Sequence, residues 1–256
     1  MKLEDKTILI VGASSGIGRA TAVALADRNN RLVVCARRQD LLETLELDIE
    51  ARGSQCLFIE TDALDRSAAE SVIDASVEKF GGIDVALLNV GEGPSFNMDR
   101  CSVDEVWDNM ALNYLTMVNY LIPLIQQMKK QGHGLIAHTN SLAGFLGLPM
   151  QGPYSAAKAA ARILMDACRL ELREQNIKFV SLHPGFVATE RVANDGIPTP
   201  FEISEAVAAR HVIKGIEREK PDYLFPLVMK LLIRLAGILP KPVTGYLLLK
   251  AIPDEY

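Results

Sequence analysis

A short apolar run, Thr7-Ile-Leu-Ile-Val11, passes without a break into Gly12-Ala-Ser-Ser-Gly16-Ile-Gly18. A helical pattern follows over residues 16–28, and then a second apolar run, Arg31-Leu-Val-Val-Cys35. Continuous apolar runs of this length are what strands buried on both faces present, and such strands belong to parallel sheets covered by helices. Glycines at a strand-to-helix turn let the backbone approach a ligand closely, and the helix start behind them offers free N–H groups and the positive end of a dipole. A phosphate cradle at Gly12, Ser14, Ser15, Gly16, Ile17 and Gly18 is the functional reading. A glycine-rich turn alone is weak evidence, but here the strand, the helix and the next strand are all in place.

The pattern repeats. Helices are expected over residues 40–52, 66–80, 103–130 and 204–219, and an alanine-rich helix begins at Tyr154. Strands are expected over 55–60, 83–88, 134–139 and 178–182, with an edge strand at 223–225. Strands alternating with helices predict an α/β fold, a Rossmann-type doubly wound parallel sheet flanked by helices on both faces. With 256 residues and 49% hydrophobic content the chain can bury one core. We expect a single domain: a dinucleotide-binding core at about 5–190, a substrate lid at about 190–220 and an apolar extension at about 226–256.

Charge narrows the partners. The net charge is −5 and Lys and Arg are scattered, so no footprint for nucleic acid is present. Cys35, Cys56, Cys101 and Cys168 are far apart and have no His at ligand spacing, so neither disulfides nor a metal are expected. They read as buried thiols in a reducing compartment. The polar start, residues 1–7, runs straight into the first strand with no signal peptide, which points to the cytoplasm.

The end of the second strand meets the adenosine ribose in such folds; an acid there binds a 2′-hydroxyl, whereas arginine accommodates a 2′-phosphate. This chain has Arg37 and Arg38 and no acid before Asp40, so the expected cofactor is NADP(H) rather than NAD(H), with Arg37 the better candidate of the two. The bland alternative is two solvated arginines ahead of a helix. Asp62, with Ala63 beside it, follows the third strand and is open to two roles, an adenine contact or the N-cap of the next helix. Asn89 and Gly91 close the fourth strand, at the sheet edge where ligands sit.

Ser141 arrives at the end of the strand at 134–139. Tyr154 and Lys158 lie four apart on a helix and so share a face. A phenol with an ammonium within a few ångström exchanges its proton more readily near neutral pH, which makes Tyr154 a general acid with Lys158 as its tuner and Ser141 as the hydroxyl that binds the reacting oxygen. Asn113, in the middle of a long helical pattern, is a mediocre helix former. It either bonds back to its own helix or holds a local bend and a water leading toward Lys158.

Taken together, these motifs closely resemble those of the short-chain dehydrogenase/reductase family over roughly residues 5–225. Gly12, Gly16 and Gly18 match its cofactor turn, Asp62 its adenine-contacting acid, and Asn89 and Gly91 part of its Asn-Asn-Ala-Gly element. Asn113, Ser141, Tyr154 and Lys158 match its catalytic tetrad. Pro184, Gly185 and Thr189, with Val187 between them, match the turn beside the nicotinamide. The resemblance implies reversible hydride transfer between a nicotinamide cofactor and a carbonyl or alcohol. Tyr154 would exchange the proton, Ser141 hold the oxygen, Lys158 lower the Tyr154 pKa and bind the nicotinamide ribose, and Asn113 anchor a relay water. It also implies a homodimer or homotetramer through the helices bearing Asn113 and Tyr154. Two departures stand out: Val11 replaces a threonine that in the family bonds to the companion element, and that element here reads Leu88-Asn89-Val90-Gly91. We expect a coherent apolar repacking.

Candidate substrate residues are apolar: Leu142, Phe145, Leu148, Met150 and Phe186, with a mobile lid at 194–200. They point to a lipid-, steroid- or aromatic-like ketone. Two other readings stay open, an NAD-dependent alcohol dehydrogenase and a nucleotide-binding regulatory or scaffold protein with little turnover. In the tail, residues 227–239 read as an amphipathic helix carrying Lys230 and Arg234. It covers the cleft or a subunit contact, or makes peripheral contact with a membrane surface.

Overall fold

A computed structural model describes residues 1–189 and 199–250. Its strands are β1 (Thr7–Val11), β2 (Arg31–Ala36), β3 (Gln55–Glu60), β4 (Val85–Leu88), β5 (Gly134–Thr139), β6 (Ile177–Pro184), β7 (Val187–Ala188), β8 (Ile203–Ser204) and β9 (Asp222–Phe225). Seven of them form one parallel sheet in the order β3-β2-β1-β4-β5-β6-β9, and β7 pairs with β8. The chain winds outward from β1 in one direction and from β4 in the other. The C-terminal ends of β1 and β4 therefore open a crevice at the point where the order reverses, which is where such sheets bind ligands.

Alternation along each strand feeds two cores. Ile8 and Ile10 of β1 join Leu25, Leu42 and Val212 on one face, under α1 (Gly16–Leu25), α2 (Gln39–Glu50) and α7 (Glu205–Glu217). Leu9 and Val11 join Val72, Leu121 and Met165 on the other, under α3 (Arg66–Phe80), α5 (Thr116–Gln131) and α6 (Gly152–Glu171). Both faces of the sheet are thus covered, as the apolar strand runs require.

Three local outcomes differ from expectation. The helix expected over 103–130 is α4 (Val103–Met110) and α5 joined by a π-helical turn at Ala111–Leu115. The extra residue in that turn accompanies a buried Asn113 whose amide is engaged outside the helix as well as within it, a common setting for π turns. The N-cap of α3 is Asp65, which accepts from Ser67 N and Ala68 N; Asp62 instead accepts from Leu64 N at 2.9 Å. Of the stretch expected as a lid, residues 190–198 lie outside the described residues, and α7 is a core helix packed on α1.

The tail forms α8 (Leu227–Ile238) and α9 (Lys241–Lys250). α8 packs on β9 and on a 3-10 turn at Leu142–Phe145, yet none of its residues is buried. Among the described residues no helix is long and apolar enough to cross a membrane.

Candidate active site

A cavity of about 780 Å³ runs across the C-terminal ends of the strands. One end is the glycine turn. Gly12 and Gly16 have φ of 86° and 59°, in the region that favours glycine. Ser15 caps α1 without a side-chain bond, which leaves the first N–H groups of the helix open beside the cavity-lining Ser14, Ser15, Gly16 and Ile17. This cradle suits a phosphate group. Gly18 does not line the cavity. A Cβ there would stand 2.1 Å from Gly12 O, so its part is to let α1 pack against the turn.

The departures at Val11 and Leu88 pair with each other in register across β1 and β4. The tie between the turn and β4 comes from Asn89, whose Nδ2 donates to Gly12 O at 3.2 Å. Arg37 and Arg38 both line the cavity. Arg38 donates to Ser14 Oγ at 3.0 Å and to Ser15 Oγ, whereas Arg37 makes no hydrogen bond to a described residue. β2 ends at Ala36, and beyond a strand end the two-residue alternation no longer assigns a direction. Asp62, Ala63, Asn89 and Gly91 continue the lining, and Pro184, Gly185, Val187 and Thr189 face them from β6 onward.

Ser141, Tyr154 and Lys158 all line the cavity. Ser141 is placed by β5 and by the following 3-10 turn, where its Oγ accepts from Ala143 N at 3.1 Å. Burial raises the Tyr154 pKa, and the neighbouring Ser141 hydroxyl pulls it back. Lys158 Nζ lies 5.6 Å from the Tyr154 ring centroid and donates to Thr139 O at 3.1 Å. Burial depresses the Lys158 pKa to about 7, so it changes charge in the physiological range.

Asn113 stands behind the cavity rather than in its wall. Its Oδ1 accepts from Glu92 N at 2.9 Å, and its Nδ2 donates to Glu92 O at 2.7 Å and to Asn109 O at 3.1 Å. The back-bond and the external engagement therefore coexist. A Cβ at Gly91 would lie 2.6 Å from Asn113 Oδ1 and 2.7 Å from Lys158 Nζ, so a glycine is what allows both side chains to approach the backbone there.

Three residues of the site carry no role in the sequence reading. Asn140 accepts from Ser141 N at 2.7 Å and donates to Lys158 O at 3.0 Å, bracing β5 against α6. His183, fully buried, places Nε2 2.7 Å from Asp222 Oδ1 and Nδ1 3.4 Å from Ser141 O. The His183 bond is the main cause holding the Asp222 carboxyl below its usual range. The available signals were an amide next to Ser141 and a histidine inside a strand that ends in Pro184-Gly185.

Of the expected substrate residues, Leu142, Leu148, Met150 and Phe186 line the cavity. Phe145 does not: its ring packs edge-on to His183 at 4.8 Å and under the Arg162 guanidinium at 4.7 Å. An apolar residue in a loop has no periodicity from which its direction can be read. Met229, Leu232, Ile233 and Ala236 of α8 and Leu248 of α9 complete the wall. All four cysteines are free; Cys35, Cys56 and Cys168 are buried and Cys101 is half-buried.

Residues 6–197 match the short chain dehydrogenase family profile. An uncharacterized oxidoreductase of Myxococcus xanthus (strain DK1622) is 32% identical over 242 residues, covering 94% of this chain and 96% of that one. The alcohol dehydrogenase of the archaeon Thermococcus sibiricus, solved with 5-hydroxy-NADP, superposes with a TM-score of 0.78 at 26% identity, covering 86% of this chain and 95% of that one. The apo form of LigD from Sphingobium sp. strain SYK-6 shares the fold, with a TM-score of 0.81 at 21% identity over 99% of this chain and 100% of that one. The chain belongs to the short-chain dehydrogenase family and is an oxidoreductase of the kind that binds a nicotinamide cofactor.

Proposed function

We propose that this oxidoreductase uses NADP(H) to interconvert a carbonyl and an alcohol on an apolar small molecule. The observation that carries the reading is that Ser141, Tyr154 and Lys158 line the same cavity as the glycine turn with its arginines. A nicotinamide, when bound, supplies or accepts the hydride. The chain does the rest. Ser14 to Ile17 and the open start of α1 receive phosphates, Arg37 and Arg38 a 2′-phosphate, and Asp62 and Ala63 the adenine. Pro184, Gly185, Val187 and Thr189 lie where a nicotinamide would rest. Ser141 holds the substrate oxygen and Tyr154 gives or takes a proton there. Lys158 contributes positive charge below its pKa of about 7, which favours the phenolate. Asn113 holds the backbone at Glu92 and thereby the space around Lys158. The 5-hydroxy-NADP seen in the Thermococcus sibiricus enzyme supports the choice of cofactor. We further assign the chain to one domain, to the cytoplasm and to a homodimer or homotetramer, with its tail available to a membrane surface.

Nicotinamide fluorescence titrations with NADPH and NADH test the cofactor. NADPH should bind at least about tenfold more tightly, and Arg38→Ala should lose more of that preference than Arg37→Ala. Preference for NADH in the wild type overturns the assignment. Turnover of apolar ketones should then fall about 10²- to 10⁴-fold in Tyr154→Phe, with nucleotide binding kept. Unchanged turnover removes Tyr154 from its role, and binding without any turnover points to a nucleotide-sensing protein.

A further inference from the structure

We infer that α8 and α9 seat the protein on an anionic lipid surface, with the rim of the cavity turned toward it. Half of the exposed large apolar side chains among the described residues lie between Leu227 and Leu249. On α8 they form a stripe at helical spacing, with Leu227 66%, Leu231 57%, Leu235 56% and Ile238 82% exposed. The opposite side of the same helix, Met229, Ile233 and Ala236, is cavity wall. Leu232 belongs to both, lining the cavity while 49% exposed, and so marks the rim.

Charge decides what covers this stripe. Residues 227–250 carry Lys230, Arg234, Lys241 and Lys250 and no acid, in a chain whose net charge is −5; Asp254 and Glu255 come only after α9. A two-fold contact of this segment with its own copy would offer Lys230 and Arg234 no carboxylate, since residues 227–250 contain none. An anionic lipid surface meets the basic residues and the leucines together. Tyr246, 58% exposed on α9, adds an aromatic ring of the kind that settles at headgroup level. The helices lie on such a surface rather than across it, since 12 residues of helix span only about 18 Å against a hydrocarbon core of about 30 Å. Together with the apolar substrate proposed above, on which this last step rests, the arrangement lets a ligand pass from the lipid phase past Leu232 into the cavity.

The test is flotation of the full chain with vesicles of phosphatidylcholine alone or of equal parts phosphatidylcholine and phosphatidylglycerol. The wild type should float with the mixed vesicles, and the Lys230→Glu/Arg234→Glu pair should weaken that binding by about 30-fold or more, since each basic residue near such a surface is worth about fivefold. Raised salt should weaken it as well. A Leu231→Ser/Leu235→Ser pair should also release the protein. All four side chains lie outside the cavity lining, so thermal melts should show these variants folded. No preference of the wild type for the mixed vesicles overturns the inference, as does unchanged binding after charge reversal. So does a leucine pair that splits an oligomer in light scattering while flotation persists, because the face then belongs to a second copy. Flotation reads neither nucleotide nor turnover, so its failure is distinct from failure of the reductase reading.

Discussion

The floor of the cavity and its C-terminal wall are made of different material. At the floor, Asn140 bonds Ser141 N and Lys158 O, Lys158 donates to Thr139 O, and Asn113 brackets the Glu92 backbone, beside strands buried on both faces. At the wall, α8 contributes four cavity residues while burying none. Proton exchange needs atoms held to within a fraction of an ångström, which only a packed and cross-bonded setting provides. An apolar ligand needs a surface with little water and tolerates a looser one. The two regions therefore ought to answer the same perturbation in different ways.

The largest contrast should come from Lys158. Its pKa in the folded chain is about 7, below the ordinary 10.5, because burial disfavours its charge. Between those values the unfolded chain binds more protons than the folded one. Stability without nucleotide therefore rises with pH through this window and is flat on either side of it, with a total change on the order of 4–5 kcal/mol. Urea unfolding at about pH 7 and about pH 10 should show that slope, and Lys158→Met should flatten it. A wild type with no slope would mean that solvent or an anion reaches Nζ and that the floor is less closed than described.

One substitution made in both regions sharpens the comparison further. In Gly18→Ala the new methyl would stand 2.1 Å from Gly12 O, a backbone atom that cannot swing aside. A loss of about 1–3 kcal/mol and weaker nucleotide binding are expected, read by denaturant midpoint and fluorescence titration. Gly237→Ala places its methyl in open space on α8 and should raise stability by about 0.5–1 kcal/mol, because alanine is the better helix former. Equal signs at the two sites would dissolve the distinction between floor and wall.

Sequence alone carried the floor well, for physical reasons. The glycine turn, Ser141, Tyr154 and Lys158 are fixed by strand ends and helix spacing, and these leave periodic traces. The π turn at Ala111–Leu115 left only the oddity of Asn113, because apolar residues flank it on both sides and hide the slipped register. The choice between Arg37 and Arg38, and the placement of Phe145 away from the cavity, depend on side-chain directions in segments with no period. His183 and Asp222 meet only because β9 pairs with β6, a contact between residues 39 apart in the chain. For α8 the spacing showed an amphipathic helix marked only by Lys230 and Arg234, which does not announce which apolar side lines the cavity.

The smallest expected effect tests the wall most directly. Leu235→Ser removes a side chain that is already 56% exposed, so little apolar area is lost and most of the change comes from the weaker helix propensity of serine. Stability should shift by no more than about 0.5 kcal/mol. A change in the core, Leu121→Ala on the buried face of α5, should cost about 2–5 kcal/mol, since a fully buried leucine leaves a cavity behind. Denaturant midpoints of the two variants against the wild type give both numbers. A cost at Leu235 approaching that at Leu121 would show that the outer stripe of α8 is buried in solution against protein. The wall would then be an interface between subunits, and the contrast with the floor would hold only for the isolated chain.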